Sequence, residues 1–192
     1  FSQGFDGNAD GLVHQGNGAA YGGVAVVASG TNGIVTADGS SYAVVGETAG
    51  AGAFTRFDGY QSAWTGSYTA EAKVYLDPNW SAGSGFDYAV ASSNAAGGHL
   101  RDFVFHVAKD VSTGKLLVAG SNNTNFAARA DLETLNHHEV TTNGWYTLRH
   151  VFKDVGGVLT VDLQLVGSDG SVLWTETRSN AADQIGVNVG GN

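Results

Sequence analysis

The chain has 192 residues with no cysteine, no methionine, 29 glycines, one proline and a formal charge of −9. Lack of cysteine excludes disulfides, thiolate metal sites and cysteine nucleophiles, and the acidic balance argues against nucleic acid or an anionic membrane surface as partner, because phosphate recognition needs clustered Lys and Arg. With 42% hydrophobic residues and no apolar run near the ~18 residues of a membrane span, the chain is expected to fold as one domain, 1–192, with a core of sandwich size and no membrane insertion.

In chain order, Phe1 and Phe5 precede an acidic turn, DGNADG at 6–11. Residues 22–28 and 34–36 and Ser41–Gly46 read as short strands, with Asp38-Gly39 as a hairpin turn. The small residues beyond Gly46 read as a loop. Residues 67–77 alternate cleanly: Tyr68, Ala70, Ala72, Val74 and Leu76 share one face, and Glu71, Lys73 and Tyr75 the other. Asp77-Pro78-Asn79 ends that run. Gly85–Ser93 places Phe86, Tyr88 and Val90 against Asp87. His99–Lys109 is the most strongly patterned stretch, with Phe103, Phe105 and Val107 on the core side and Asp102, Val104 and His106 opposite.

Residues 115–121 form a further strand. The polar stretch 122–136 is irregular, with 127–135 as the one plausible helix. Residues 145–155 set Tyr146, Leu148, His150 and Phe152 against Trp145, Arg149 and Lys153. Residues 157–167 set Leu159, Val161, Leu163 and Leu165 against Asp162 and Gln164. Ser168-Asp169-Gly170 turns the chain into 171–177, and 185–189 closes it. About a dozen strands between Gly, Asn, Asp and Ser turns predict an all-β, two-sheet antiparallel sandwich or jelly roll.

A set of segments carries a resemblance: F-x-x-G-F-D-x-N-x-x-G-L at the start, SYTAEAKVYLDPNW at 67–80, GFDYAVASS, HLRDFVFHV, GWYTLRHVFKD at 144–154 and GGVLTVDLQLVGSDGSVLW at 156–174. Together they resemble the concanavalin A-like lectin/glucanase superfamily, specifically the LamG-like jelly-roll domains of exported bacterial proteins. The resemblance spans nearly the whole chain. It implies a jelly roll whose concave sheet face binds extended glycan. The glucanase branch's Glu-x-Asp-x-Glu strand is absent. So are the Gln-Ile-His and Arg-x-Glu-Leu-Arg strands of the alginate-lyase branch, which turns the expectation from catalysis toward binding.

Sugar hydroxyls call for planar hydrogen-bonding groups, and sugar rings for an aromatic plate. The candidate ligand-binding residues are therefore Asp102, His106, Arg149, Asp162, Gln164, Tyr75 and Trp80. Solvated strand residues in cross-strand pairs are the alternative for the charged ones, and a ring folded onto the core is the alternative for Trp80. Tyr60 and Trp64 are further loop aromatics. Asp102 and His106 stand roughly 13 Å apart along one strand, which suits neighbouring sugar subsites better than a direct acid–base contact. His150 falls on the apolar side and is expected to be a buried, hydrogen-bonded core residue.

Asp6, Asn8 and Asp10 match the first half of a calcium loop, although its twelfth position is Asn17 rather than a bidentate Glu. Ca2+ is the one cofactor considered. The chain opens at Phe1 rather than Met. Removal of an export signal is one explanation, and the expected location is extracellular or at the cell surface. Three readings follow: a lectin-like module for polysaccharide or cell-surface glycan, a polysaccharide-active hydrolase or lyase with an atypical site, and a self-associating subunit of an extracellular layer or appendage.

Overall fold

The structure, a computed structural model, describes residues 1–14, 23–46, 53–55 and 61–187. Asn17, Tyr60, the loop expected beyond Gly46 and the end of the last expected strand lie outside them. The described chain is all-β and antiparallel, with 3-10 turns at Thr31–Gly33 and Leu132–Thr134 and no α-helix among the described residues. Contacts divide it into two compact units, Phe1–Tyr60 and Gln61–Gly191.

The first unit holds strands β1 (Val13–His14), β2 (Gly23–Ala28), β3 (Ser41–Gly46) and β4 (Ala53–Phe54). They pair as two antiparallel ribbons, β1 with β4 and β2 with β3. The segment expected as a strand at 34–36 is not one. Thr36 instead folds back on the turn ahead of β3, its hydroxyl donating to the Asp38 and Ser41 carbonyls at 2.6 and 3.0 Å. Tyr42, buried, donates its hydroxyl to the Thr31 carbonyl at 2.7 Å.

The second unit is a sandwich of two four-stranded sheets. Its strands are β5 (Tyr68–Leu76), β6 (Gly85–Ser93), β7 (His99–Lys109), β8 (Leu116–Asn123), β9 (His137–Val140), β10 (Gly144–Val155), β11 (Val158–Val166) and β12 (Val172–Gln184). One sheet runs β12-β11-β10-β5 and the other β6-β7-β8-β9. The chain thus leaves the first sheet after β5, builds the second as a meander, and returns through β10.

Local chemistry ends the strands where the sequence places turn residues. Asp77 Oδ1 accepts from the Asn79 N–H at 2.8 Å after β5, and Asp110 Oδ1 gathers the Ser112 and Thr113 N–H groups at 2.9 and 2.7 Å after β7. Such Asx turns compete with strand continuation. Between β10 and β11, Val155 pairs with Val158 and leaves a two-residue loop. Gly156 and Gly157 take φ of 64° and 87° there, the left-handed pair that a tight hairpin requires.

The core lies between the sheets. Leu76, Leu148, Leu163 and Leu165 from one sheet meet Phe105, Val107, Leu116 and Val118 from the other. Phe103, Phe105, Leu148, Phe152, Val161 and Leu163, the inner positions of the alternation, are fully buried. Arg101 crosses from β7 to β12, its Nε and a terminal nitrogen on Asp183 at 2.6 and 3.1 Å.

Three elements of the second unit also differ from expectation. The 127–135 segment makes only the 3-10 turn at Leu132–Thr134. His137–Val140, between the irregular stretch and the strand expected at 145–155, is an edge strand paired with β8. And β12 runs on to Gln184 through a bulge near its pairing with Val158 and Thr160.

Candidate functional site

A sandwich has two outward faces, and the candidate residues divide between them. On the β12-β11-β10-β5 sheet, register places Glu71, Arg149, Gln164 and Thr175 in one row. The next row holds Thr69, Val151, Asp162 and Thr177. Residues paired across a ladder share a face, so Arg149, Asp162 and Gln164 stand side by side on it. Tyr75 joins them two rows away, opposite Trp145.

The charges on this face are paired. Arg149 Nε donates to the Glu71 carboxylate. Asp162 accepts from Lys153 Nζ at 2.6 Å and from the Thr177 hydroxyl at 2.8 Å. Each pair keeps contact with water: the Arg149 and Glu71 side chains are 29% and 45% exposed. Exposed pairs of this kind add little to stability, yet they hold planar donors and acceptors in fixed positions.

At the end of the same face, Tyr75 and Trp145 meet edge to face with ring centroids 5.7 Å apart. Asn143 Nδ2 donates to the Tyr75 hydroxyl at 3.1 Å. Trp145 also lines a cleft of about 360 Å³ with Asn143, Tyr146, Ser168, Asp169 and Leu173. Trp145 was legible as a partner of Arg149 in the alternation of β10, since two strand positions separate face-mates, but its pairing with Tyr75 depends on the register of β5 against β10.

Asp102 and His106 do not join this group. They sit on the outward side of the other sheet, and both are fully buried, which corrects the expectation that they line an open groove. The physical cause is a second layer. Segment 124–136 crosses that face, and Leu132 packs with Leu117 and Ala119. Asp102 Oδ2 accepts from the Phe126 N–H at 3.0 Å, and its Oδ1 lies 2.6 Å from His99 Nε2. The His99 ring stacks on Phe126 at 4.9 Å. His106 contacts Asp87 and Ser121. A strand with both faces covered needs its polar groups satisfied internally, and every one of these partners comes from outside β7 or from its first residue.

Trp80 is also apart from the sheet face. Its ring packs on the interior cluster, edge-on to Phe86 at 6.3 Å. Trp64 lies 5.8 Å from Tyr68, which stacks flat on Phe152 at 4.5 Å.

The acidic turn near the N-terminus uses its oxygens within the protein. Asp6 Oδ1 accepts from the Ser40 N–H at 2.7 Å and the Ser40 hydroxyl at 3.1 Å, and these bonds hold its carboxyl below the usual carboxylate range. Asn8 Oδ1 accepts from Gln3 Nε2 at 3.0 Å and the Asp10 N–H at 3.1 Å. No three acidic or imidazole side chains cluster for a metal ion among the described residues. Asp6 and Asn8 thus direct side-chain oxygens at N–H and O–H donors of the protein, whereas a calcium loop turns its oxygens toward one point. The turn braces the loop ahead of β3, where a Cβ on Gly39 would strike the Asp6 carboxylate.

No family model matches the chain, and neither a curated protein nor a solved structure matches it.

Proposed function

We propose that the protein is an extracellular carbohydrate-binding module of the concanavalin A-like, jelly-roll kind. Its glycan lies on the outward face of the β12-β11-β10-β5 sheet. The observation that carries the reading is the Tyr75–Trp145 pair beside a cleft, on the same sheet face as Arg149 and Gln164 two rows away and Asp162 in the row after. An aromatic plate takes the apolar face of a sugar ring, and bidentate groups take vicinal hydroxyls. Trp145 replaces Trp80 as the stacking residue, and Asp102 and His106 have no part in the contact.

The experiment is retention on a glycan array and on immobilised polysaccharides, with a Trp145→Ala, Arg149→Ala double variant beside the parent. The parent is expected to retain at least one glycan class, and the variant to lose it while keeping its melting temperature within a few degrees. Equal retention by both, or none by the parent on any glycan class, rejects the reading.

A further inference from the structure

On the covered face of the β6-β7-β8-β9 sheet, three polar side chains form one hydrogen-bonded line. Asp87 Oδ1 lies 2.6 Å from His106 Nδ1, and His106 Nε2 lies 2.8 Å from Ser121 Oγ. They come from three adjacent strands. Asp87 and His106 are direct partners between β6 and β7, and Ser121 stands on β8 opposite Val104, one step along the same face.

A carboxylate only accepts, so neutral His106 carries its proton on Nδ1 and leaves Nε2 to accept from the Ser121 hydroxyl. The acid therefore orients the base, and the base faces the hydroxyl proton. That order of roles is the one an activated serine uses, whatever the fold and whatever the sequence spacing. Along the line the Asp87 side chain is 36% exposed, His106 is 1% exposed and Ser121 is 6% exposed. A cleft of about 440 Å³ reaches Asp87 from solvent, between 83–87, 107–112 and Arg129. The other titratable groups on this face are engaged elsewhere. Asp102 holds His99; His137, the β9 partner of Ala119, gives Nδ1 to the Leu135 carbonyl at 2.9 Å; and Glu139 pairs with Lys115 at 3.1 Å.

We infer that Ser121 is a nucleophile for small acyl esters, with His106 as its general base and Asp87 as a positioning residue. The Ser121 Oγ–acyl carbon bond forms as the ester C–O bond breaks. The hydroxyl proton passes to His106 Nε2 and on to the departing alkoxide. Water then attacks the acyl carbon and gives a proton to His106, which returns it to the Ser121 oxygen as the carboxylic acid leaves. No oxidant, reductant or metal enters the balance. The site is separate from the sheet face proposed for glycan and does not depend on that reading.

The test uses the full chain and an alkyl fluorophosphonate. Attack forms the Ser121 O–P bond, breaks P–F and releases fluoride, with the proton passing to His106. Peptide mass mapping is expected to find one phosphonyl adduct, on Ser121, formed at a rate that rises with pH. Asp87→Asn, which can donate to Nδ1 and so leave Nε2 protonated, is expected to slow labelling by about 100-fold or more. Because the chain has no cysteine, Ser121→Cys supplies a single thiol and a second reading. Beside His106 it is expected to alkylate with iodoacetamide as a thiolate well below the ordinary ~8.5. No adduct on Ser121, a labelling rate independent of pH, or an ordinary thiol titration in Ser121→Cys overturns the inference. If Asp87→Asn does not fold, the pH profile of the parent and the thiol titration decide it.

Discussion

His150 is held between the sheets, its ring centroid 5.4 Å from that of Tyr88 and 4.9 Å from that of Phe105. Nε2 donates to the Phe103 carbonyl at 2.9 Å, and Nδ1 has no partner. Burial pushes its pKa down to about 4, against a weaker upward pull from the Phe103 carbonyl. In the unfolded chain the ring titrates near ~6.5, so as pH falls the unfolded state takes up the proton first. The stability contributed by this group is complete above pH ~6.5, is lost as pH falls toward 4 and changes no further below that. The total is about 3 kcal/mol. Urea midpoints at pH 7 and pH 4 are expected to differ in the parent, and His150→Leu is expected to remove about that much of the difference. An unchanged pH slope in the variant would assign the loss to other groups. The Asp6 turn gives a second measurement at this scale. With Asp6 committed to Ser40, melting in millimolar calcium and in chelator is expected to coincide. A calcium-dependent rise in Tm would show that the native state binds the ion, at a turn built differently from the one described.

At the scale of the element, β7 is the strand that sequence patterning reads best and also reads incompletely. Its bounds, His99–Lys109, and its inner residues Phe103 and Phe105 follow from alternation, because a period of two marks a face. Truncating Phe105 to Ala is expected to cost about 3–5 kcal/mol, since it removes a fully buried ring from both halves of the core. A parent-like urea midpoint would contradict that placement. The outer face was not legible. Its cover is an irregular polar segment whose apolar content over 131–136 is Leu132 and Leu135, too sparse to show any period. Leu132 is nonetheless buried against Leu117 and Ala119, and Leu132→Ala is expected to cost about 2–5 kcal/mol and to raise hydrogen exchange across β8. The same limit applies to partners. The Asp87–His106–Ser121 line and the Arg101–Asp183 pair join residues 15 to 82 positions apart, and only strand order and register bring them together. Arg149, Asp162 and Gln164 meet on one face because β10 and β11 form a tight hairpin, whose register is set by its two-residue loop; alternation along each strand alone does not show that the two strands are neighbours.

The second unit, taken as a whole molecule, is complete in the features that independent folding requires. Residues from both of its sheets fill a single core, and a domain is the stretch of chain that closes its own core. The nearly buried Arg101–Asp183 pair ties β7 to β12, and breaking such a pair from one side leaves an uncompensated charge worth about 3–5 kcal/mol. That pair, the β5–β10 pairing and the covering segment 124–136 all lie within 61–191. So do all four tryptophans, Trp64, Trp80, Trp145 and Trp174, which makes tryptophan signals specific to this unit. A chain comprising 61–192 is therefore expected to fold without the preceding sixty residues. It should give a cooperative urea transition and the near-ultraviolet tryptophan bands of the full chain. Because its central pairing joins strands distant in sequence, it should refold slowly, in milliseconds to seconds. Retained far-ultraviolet signal with lost near-ultraviolet bands and dye binding would mark a molten globule, and would show that the first unit is needed to fix the packing of the second.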